Sequence, residues 1–590
     1  MKKTLILLAS LTLAVIAHAD PQLASWYTAD SGQYARLYQS TAAETAGTVS
    51  KTWSRGTGVQ SNPTYAGVSE IVSSANWVYI RTTGLAGHIM GPWYLDAAKT
   101  QNFPNFPSNT ASIYRIPRTP AIPATKTATG LGATGRMVNG VSMFDMRDAF
   151  SYRNASATDA TPVNGLTGDG IWNRDGYHNE GVTFDPGLAH QAGNNYHYHA
   201  QPIALRHQLG DHVDYNATTN RYTESAAPVT KHSPIVAWAA DGLPVYGPYG
   251  YASPLDASSA VRRMISGFVL RNGANGTTNL AATGRTTLPA WAARLQNRSA
   301  TLSSNQYGPA VGATYLLGHY IEDFDYLGDH DFTQGTTFDL NEQNVRFCVT
   351  PEFPAGTYAY FTTINADGTP AYPYTTGRQY FGSPTGGATT ITETVTTYFQ
   401  GGPNKAATWT AVPVGIAGGN VTLAWSAVEG GTYQVAATSD LTATFSPVAP
   451  TVTPADDAAS WTENGAAGNP MRFYKITRTA LATFDANGFN YSQSGGGGNS
   501  VAPGGSAARG ATVTVTITLP TTPPQPPANL VPTSVTLAGT ITGTAVSRPA
   551  TGTVLATFAI PANAPTGAQN VVITFTPAPT YTLAGGFTIQ

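Results

Sequence analysis

Apolar and polar residues alternate with a period of two along much of this chain, a pattern that favours β-strands over helices. The alternation is clear at residues 421–425 and in the Thr/Val run at residues 512–518. Helical periodicity is sparse, and its best instances are residues 256–266, with Asp256 as the cap, and residues 289–297. We therefore expect a mainly β fold of antiparallel strands and long loops, with few short helices.

Composition changes twice along the 590 residues, which predicts three folded parts. Residues 20–383 contain ten of the eleven histidines and most of the acidic residues, tyrosines and tryptophans. Residues 390–482 and 486–590 contain short strands with turn signals about every 8–12 residues, as in small β-sandwiches. We expect these two parts to be Ig-like or fibronectin-like modules, with the glycine run at residues 495–498 as a flexible connection.

The N-terminus has the features of a cleaved signal peptide. Lys2 and Lys3 precede an apolar run over residues 5–16, and Ala17-His18-Ala19 resembles a cleavage site. We therefore expect residues 1–19 to be removed and the protein to be exported to the periplasm, the medium or the cell surface. No later apolar run reaches the roughly 20 residues of a membrane-spanning helix, so no transmembrane segment is expected in the mature chain.

Charge and cysteine content exclude several classes of function. The 31 basic and 33 acidic residues leave a formal charge of −2, without the basic excess that nucleic-acid binding needs. Cys348 is the only cysteine, which excludes an internal disulfide framework and zinc sites built from several cysteines. We therefore expect no nucleic-acid partner, and histidines and carboxylates remain as candidate ligands.

Histidines are concentrated in one part of the chain. Seven of the eleven lie between residues 178 and 232, far more than an even spread would place there. Because neutral imidazole is a common ligand of zinc, copper and non-haem iron, this concentration favours a transition-metal site. The seven residues are His178, His190, His197, His199, His207, His212 and His232.

Within this window, residues 194–199 read Asn-Asn-Tyr-His-Tyr-His. On a strand, His197 and His199 share one face while the two tyrosines occupy the other, so the imidazoles can converge on a metal. A third ligand could be His190, seven residues earlier across a glycine-containing loop, or His232. Asp241 is a further candidate, although Asp-Gly between apolar runs favours a hairpin turn for it.

A second concentration, of eight acidic residues, lies at residues 322–352. Carboxylates at this density could bind calcium or lend one ligand to the histidine site. An EF-hand loop counted from Asp323 fails, because Leu327 and Gln334 occupy positions that need oxygen ligands. A solvated acidic loop is the simpler interpretation.

Residues 196–200, Tyr-His-Tyr-His-Ala, resemble the signature of the YHYH domain family of exported bacterial proteins. The resemblance extends over residues 65–380 and marks His197 and His199 as a pair. The family implies no settled reaction and no substrate. Further similar blocks lie at residues 138–145, 232–250, 262–271, 349–358 and 370–374.

Two hypotheses of different class follow from these patterns. In the first, an exported protein binds zinc, copper or iron through clustered imidazoles, and an open coordination position could activate water or support redox chemistry. In the second, the YHYH strand is purely structural, and a non-catalytic surface or adhesion protein uses its β-sandwiches to bind an extracellular ligand such as glycan or matrix. Neither hypothesis establishes an enzyme.

Overall fold

The predicted mainly β architecture is confirmed in a computed structural model. The predicted signal peptide and the glycine run at residues 495–498 lie outside the residues that the structure describes. Those described residues are 20–405, 408–409, 414–469, 471–481, 501–502, 506–507, 509–510, 512–518, 531–537, 539–550, 553–576 and 580–589.

The first part is built around a mixed sheet of eight strands. Its central strand, Ile235–Ala239, is buried along its whole length, as its uninterrupted apolar sequence requires. Two strand pairs in the sheet are parallel and the others antiparallel. In spatial order the strands are His190–Ala192, Asn195–Tyr198, Ser142–Phe144, Ala133–Met137, Ile235–Ala239, Pro244–Tyr246, Thr357–Phe361 and Val345–Cys348.

A five-stranded antiparallel sheet packs on this sheet through a shared core that includes Ile80, Ile116 and Val141. Its edge strand Thr396–Gln400 comes from a stretch that composition assigns to the following module, yet it pairs with Val68–Ser73. The five strands in order are Gly387–Ala388, Ser112–Pro117, Trp77–Thr82, Val68–Ser73 and Thr396–Gln400.

Smaller antiparallel sheets surround this core. Their strands are Trp53–Arg55 with Gly58–Gln60; Arg147–Arg153 with Thr158–Asp159 and Asn173–Asp175; Val213–Asn216 with Arg221–Glu224; Tyr249–Tyr251 with Val261–Arg263; and Phe268–Leu270 with Phe324–Tyr326.

Helices are short, as expected. The helix predicted at residues 289–297 is present, whereas the one predicted at 256–266 is wrong. There the Asp256 carboxylate accepts hydrogen bonds from the Ser258 amide and hydroxyl, which closes a turn instead of capping a helix. The α-helices are Pro21–Ala24, Thr41–Thr45, Gly176–Glu180, Ile203–Gln208, Leu280–Thr283 and Ala290–Leu295. The 3₁₀ helices are Ala29–Gly32, Asn154–Ser156, Gly181–Thr183, Ser304–Gln306, Ile321–Asp323, Leu327–His330, Gly402–Asn404 and Ala466–Gly468.

The remaining strands form two β-sandwiches. In each, two sheets pack across an apolar core, around Leu423 and Val435 in one and around Val535 and Val554 in the other. The first contains Thr408–Trp409, Phe473–Ala480, Thr432–Thr438 and Ser446–Pro447 opposite Val414–Ala417, Asn420–Ser426 and Ala458–Glu463. The second contains Val501–Ala502, Thr512–Thr518, Thr553–Ala559 and Thr544–Ala550 opposite Ser506–Ala507, Thr580–Ile589, Gly567–Thr576, Val531–Leu537 and Ile541–Thr542.

The part of the chain that the structure describes contains no helix suited to spanning a membrane. None of its helices combines the length and the apolar character that crossing a bilayer requires.

Candidate metal centre

A tight hairpin at the edge of the eight-stranded sheet places the first two histidines of the centre. Strands His190–Ala192 and Asn195–Tyr198 pair antiparallel, with His190 directly opposite His197. Gly193, with φ of 61°, is the first residue of the two-residue loop, a position where hairpins of this length need a positive φ. The loop therefore sets the register that brings the two imidazoles together.

Strand alternation adds His199 to the same face, as the sequence predicts. The two tyrosines of the motif point the other way and are fully buried. The Tyr196 hydroxyl donates to Asp185 Oδ2 at 2.8 Å, and the same oxygen accepts from the Gly91 amide at 2.9 Å. The tyrosine face thus ties the hairpin to the core and leaves the histidine face free for binding.

The ligand atoms of His190, His197 and His199 all lie within 4.8 Å of one another, and all three residues are buried. The Nε2 atoms of His197 and His199 are only 3.0 Å apart. Of the two residues offered as the third ligand, His190 is the one that joins this cluster.

Each of the three rings is held through its Nδ1 atom. His199 Nδ1 lies 2.6 Å from the Asp145 carbonyl oxygen, and His197 Nδ1 lies 3.0 Å from the Asn195 carbonyl oxygen. Carbonyl oxygens only accept, so both Nδ1 atoms must carry the proton and donate. In a neutral ring, Nε2 then presents a lone pair, and two lone pairs face each other at 3.0 Å.

His190 is held in the same way by Thr183. Its Nδ1 lies 2.7 Å from Thr183 Oγ1, and that hydroxyl donates to the Glu180 carbonyl oxygen at 2.7 Å. Because the hydroxyl proton is already used, the oxygen accepts from His190 Nδ1. All three Nε2 lone pairs are therefore available to a cation, with the outer nitrogens bonded as in protein metal sites.

Glu180 completes the cluster, and sequence reasoning missed it. Its Oε2 lies 3.2 Å from His199 Nε2 and 3.6 Å from His190 Nε2. Glu180 Oε2 and His190 Nε2 are both buried and have no hydrogen-bond partner among the described residues. The Glu180 side chain as a whole is 25% exposed, so one carboxylate oxygen faces the histidines while part of the side chain reaches solvent.

Burial makes protonated histidines unfavourable here. It lowers the pKa of His190, His197 and His199, and repulsion between the rings lowers the pKa of His190 and His197 further. Burial, followed by the charges of Asp148 and Asp175, raises the pKa of Glu180. Neutral imidazoles next to a desolvated carboxylate form a site that lacks positive charge.

Three half-buried phenylalanines surround the imidazoles. The Phe144 ring stacks on His197 with centroids 3.9 Å apart. Phe184 and Phe103 contact His190 with centroid distances of 4.8 and 5.8 Å. These rings restrict the histidine rotamers and keep the surroundings apolar, which strengthens electrostatic interactions at the site.

The other two candidate ligands lie in separate networks. His232 bonds through Nδ1 to the Ser233 carbonyl oxygen at 2.7 Å and packs against Tyr246. The Asp241 carboxylate accepts from the Tyr360 hydroxyl at 2.7 Å and from the Leu243 amide at 3.1 Å. The predicted Asp-Gly hairpin is confirmed by the pairing of Ile235–Ala239 with Pro244–Tyr246. The cluster of converging ligand atoms contains neither residue.

Most carboxylates of the acidic segment at residues 322–352 pair with basic or amide side chains, nearly all of which come from outside the segment. These contacts use the oxygens on which the calcium hypothesis depends. The pairs are Glu322 with Asn173, Asp323 with Arg285, Asp325 with Arg271 and His330, Asp329 and Glu342 with Arg294, and Asp339 with Arg262.

Comparison with known proteins confirms part of the predicted resemblance. Residues 113–373 match the model of a family described as YHYH protein, a narrower range than the 65–380 expected from sequence blocks. The match includes the hairpin and Glu180, and it ends before the two β-sandwiches. No curated protein matches the chain. No solved structure matches it either.

Proposed function

We propose that the YHYH domain binds one transition-metal ion through the Nε2 atoms of His190, His197 and His199. The observation that carries this proposal is the convergence of three Nε2 lone pairs. Each belongs to a ring whose orientation is fixed by a hydrogen bond at Nδ1. The imidazole donors favour zinc, copper or iron, since each of these metals accepts nitrogen ligands.

The alternative, a structural YHYH strand, accounts less well for these contacts. A structural histidine in a core pairs its donor nitrogen with an acceptor and its acceptor nitrogen with a donor. Here His197 and His199 satisfy their donors, but their acceptor nitrogens face each other at 3.0 Å. A cation between them removes that repulsion.

A metal held by three imidazoles with an open position can polarise a carbonyl or activate water. The protein supplies buried neutral ligands, fixed ring orientations and an apolar surround for such an ion. We propose a metal-binding protein and assign no reaction. We further propose that the protein is exported, because its N-terminus has the pattern of a signal peptide.

The direct test is metal content of the purified mature chain by elemental analysis, before and after incubation with zinc, copper or ferrous iron. We expect about one ion per chain, lost in the His197→Ala/His199→Ala double variant. His207→Ala is the matched control, because His207 belongs to the same stretch of histidines but bonds to the Val213 carbonyl oxygen. A wild-type chain that stays metal-free after incubation with all three metals contradicts the proposal.

A further inference from the structure

We infer that Glu180 is the fourth protein ligand of this centre, which makes it a three-histidine, one-carboxylate site for a divalent first-row metal. This inference rests on the proposed function and extends it by a residue on a different structural element. Glu180 ends the short helix Gly176–Glu180, whereas the histidines lie on and beside the hairpin.

The distances between ligand atoms fit a coordination polyhedron. With metal–ligand bonds of about 2.0–2.1 Å, neighbouring ligand atoms lie about 3.3–3.4 Å apart in a tetrahedron and about 2.9 Å apart in an octahedron. His197 Nε2 and His199 Nε2 are 3.0 Å apart, and Glu180 Oε2 lies 3.2 and 3.6 Å from the Nε2 atoms of His199 and His190. The first two distances fall within this range and the third is slightly longer, while the ligand atoms of the three histidines all lie within 4.8 Å of one another.

Local structure holds Glu180 and His190 as one unit. The Thr183 hydroxyl donates to the backbone carbonyl of Glu180 and accepts from His190 Nδ1, at 2.7 Å in both cases. The helix that carries Glu180 is capped by the Asp175 carboxylate, which accepts from the His178 amide at 2.7 Å. One hydroxyl therefore links the backbone of Glu180 to the imidazole of His190.

Charge provides an independent argument. Among the described residues, the only basic side chains within 4.0 Å of the Glu180 carboxylate are His190 and His199, and both are neutral. Nearby Arg174 pairs instead with Asp148, at 2.9 Å. A divalent ion balances the carboxylate and accepts all four lone pairs, whereas neutral imidazoles alone leave Glu180 Oε2 buried against other acceptors.

Exposure indicates from which side the ion is reached. The three histidines are at most 4% exposed, whereas the Glu180 side chain is 25% exposed. Water and small oxygen-containing ligands therefore approach the metal on the Glu180 side. Because the site combines nitrogen with a hard oxygen donor and lacks sulfur, it suits Zn²⁺, Fe²⁺ or Mn²⁺ better than Cu⁺.

The competing interpretation is a protonated Glu180 that donates a hydrogen bond to His199 Nε2. Glu180→Gln separates the two interpretations, because a glutamine amide preserves the donor and the shape but is a poor metal ligand. If Glu180 makes only a structural hydrogen bond, the variant should match wild type in both stability and metal affinity. A ligand role predicts that the metal-free protein is as stable as wild type but binds metal more weakly.

The experiment compares wild type, Glu180→Gln and Glu342→Gln as full mature chains. Glu342 is the matched control, since its side chain is 23% exposed and pairs with Arg294 away from the histidines. We expect Glu180→Gln to weaken Zn²⁺ binding by more than about tenfold in chelator competition and to change the absorption spectrum of bound Co²⁺, with Glu342→Gln unchanged. Wild-type affinity and an unchanged Co²⁺ spectrum in Glu180→Gln would overturn the inference.

A measurement on the wild-type protein keeps the inference testable if Glu180→Gln folds poorly. Zn²⁺ addition should shift a carboxylate stretching band in difference infrared spectra, and no such shift contradicts a carboxylate ligand. Different results contradict the proposed function and the role of Glu180. If wild type binds no metal, the proposed function fails; if wild type binds metal without the carboxylate signature, only the role of Glu180 fails.

Discussion

Thr183 and His190 are joined by a hydrogen bond of 2.7 Å in which the threonine oxygen accepts from the imidazole Nδ1. The same hydroxyl donates to the Glu180 carbonyl oxygen. A side chain outside the proposed ligand set thus fixes which nitrogen of His190 carries the proton and holds the backbone of Glu180.

Thr183→Val should weaken metal binding without removing a ligand. Valine keeps the shape but leaves the His190 Nδ1 proton without an acceptor, so we expect an affinity loss of about 10–100-fold. Chelator competition with Zn²⁺ measures this loss. Thr283→Val is the control, because Thr283 makes a comparable bond to the Asn279 carbonyl oxygen on an exposed helix. Equal affinities in wild type and Thr183→Val would show that the bond does not position His190.

Arg285→Met should destabilise the domain strongly. Arg285 and Asp323 form a bidentate pair with two contacts of 2.7 Å, and both side chains are fully buried. Removing the arginine leaves an unpaired buried carboxylate, for which we expect a loss of about 3–5 kcal/mol in the free energy of unfolding. Urea unfolding followed by tryptophan fluorescence measures it.

Arg294→Met is the matched comparison for that change. Arg294 pairs with Asp329 but is 51% exposed. We expect its loss to cost less than about 1 kcal/mol, because solvent screens the pair. If the two variants lose similar amounts of free energy of unfolding, the buried Arg285–Asp323 pair does not stabilise the acidic segment more than the exposed Arg294 pair does.

Sequence periodicity was sufficient to predict how the histidines on the strands of the site are arranged. Two-residue alternation places His197 and His199 on one face, and the glycine-containing loop brings His190 opposite His197. Both are local relationships, set by backbone geometry within ten residues. The mainly β fold follows from the same kind of pattern.

Glu180 and the Asp145 carbonyl could not be predicted in this way, because tertiary contacts bring them to the site. The helix Gly176–Glu180 is too short to produce a helical pattern in the sequence. Asp145 reaches His199 because Asn195–Tyr198 pairs in parallel with Ser142–Phe144, and parallel pairing joins segments that are distant in sequence. The available sequence signal for Glu180 was its position, as an acidic residue, inside the histidine-rich stretch.

The predicted signal peptide at residues 1–19 should be cleaved from the exported protein. Cleavage after Ala19 leaves Asp20 first, and its carboxylate caps the helix Pro21–Ala24 and pairs with Arg118. We expect intact-mass analysis of the exported protein to give a chain that begins at Asp20. A chain that retains residues 1–19 contradicts the predicted cleavage.

Glu322 should make stability decrease as pH rises. It is fully buried, and burial raises its pKa from 4.5 to about 7 despite hydrogen bonds from Asn173. The native state therefore binds this proton more tightly than the unfolded state, so the contribution is favourable below pH 4.5 and is lost as pH rises to about 7. A shift of this size corresponds to about 3 kcal/mol.

Glu322→Gln tests this by removing the titration while keeping an acceptor for the Asn173 amide. Relative to wild type, the variant should become more stable as pH rises from 4.5 to 7, and the difference should stay constant above pH 8. Melting temperatures at closely spaced pH values measure the difference, with Glu393→Gln, whose side chain is exposed, as the reference. A difference independent of pH would show that Glu322 is ionised throughout, held by its hydrogen bonds from Asn173 and Gln296.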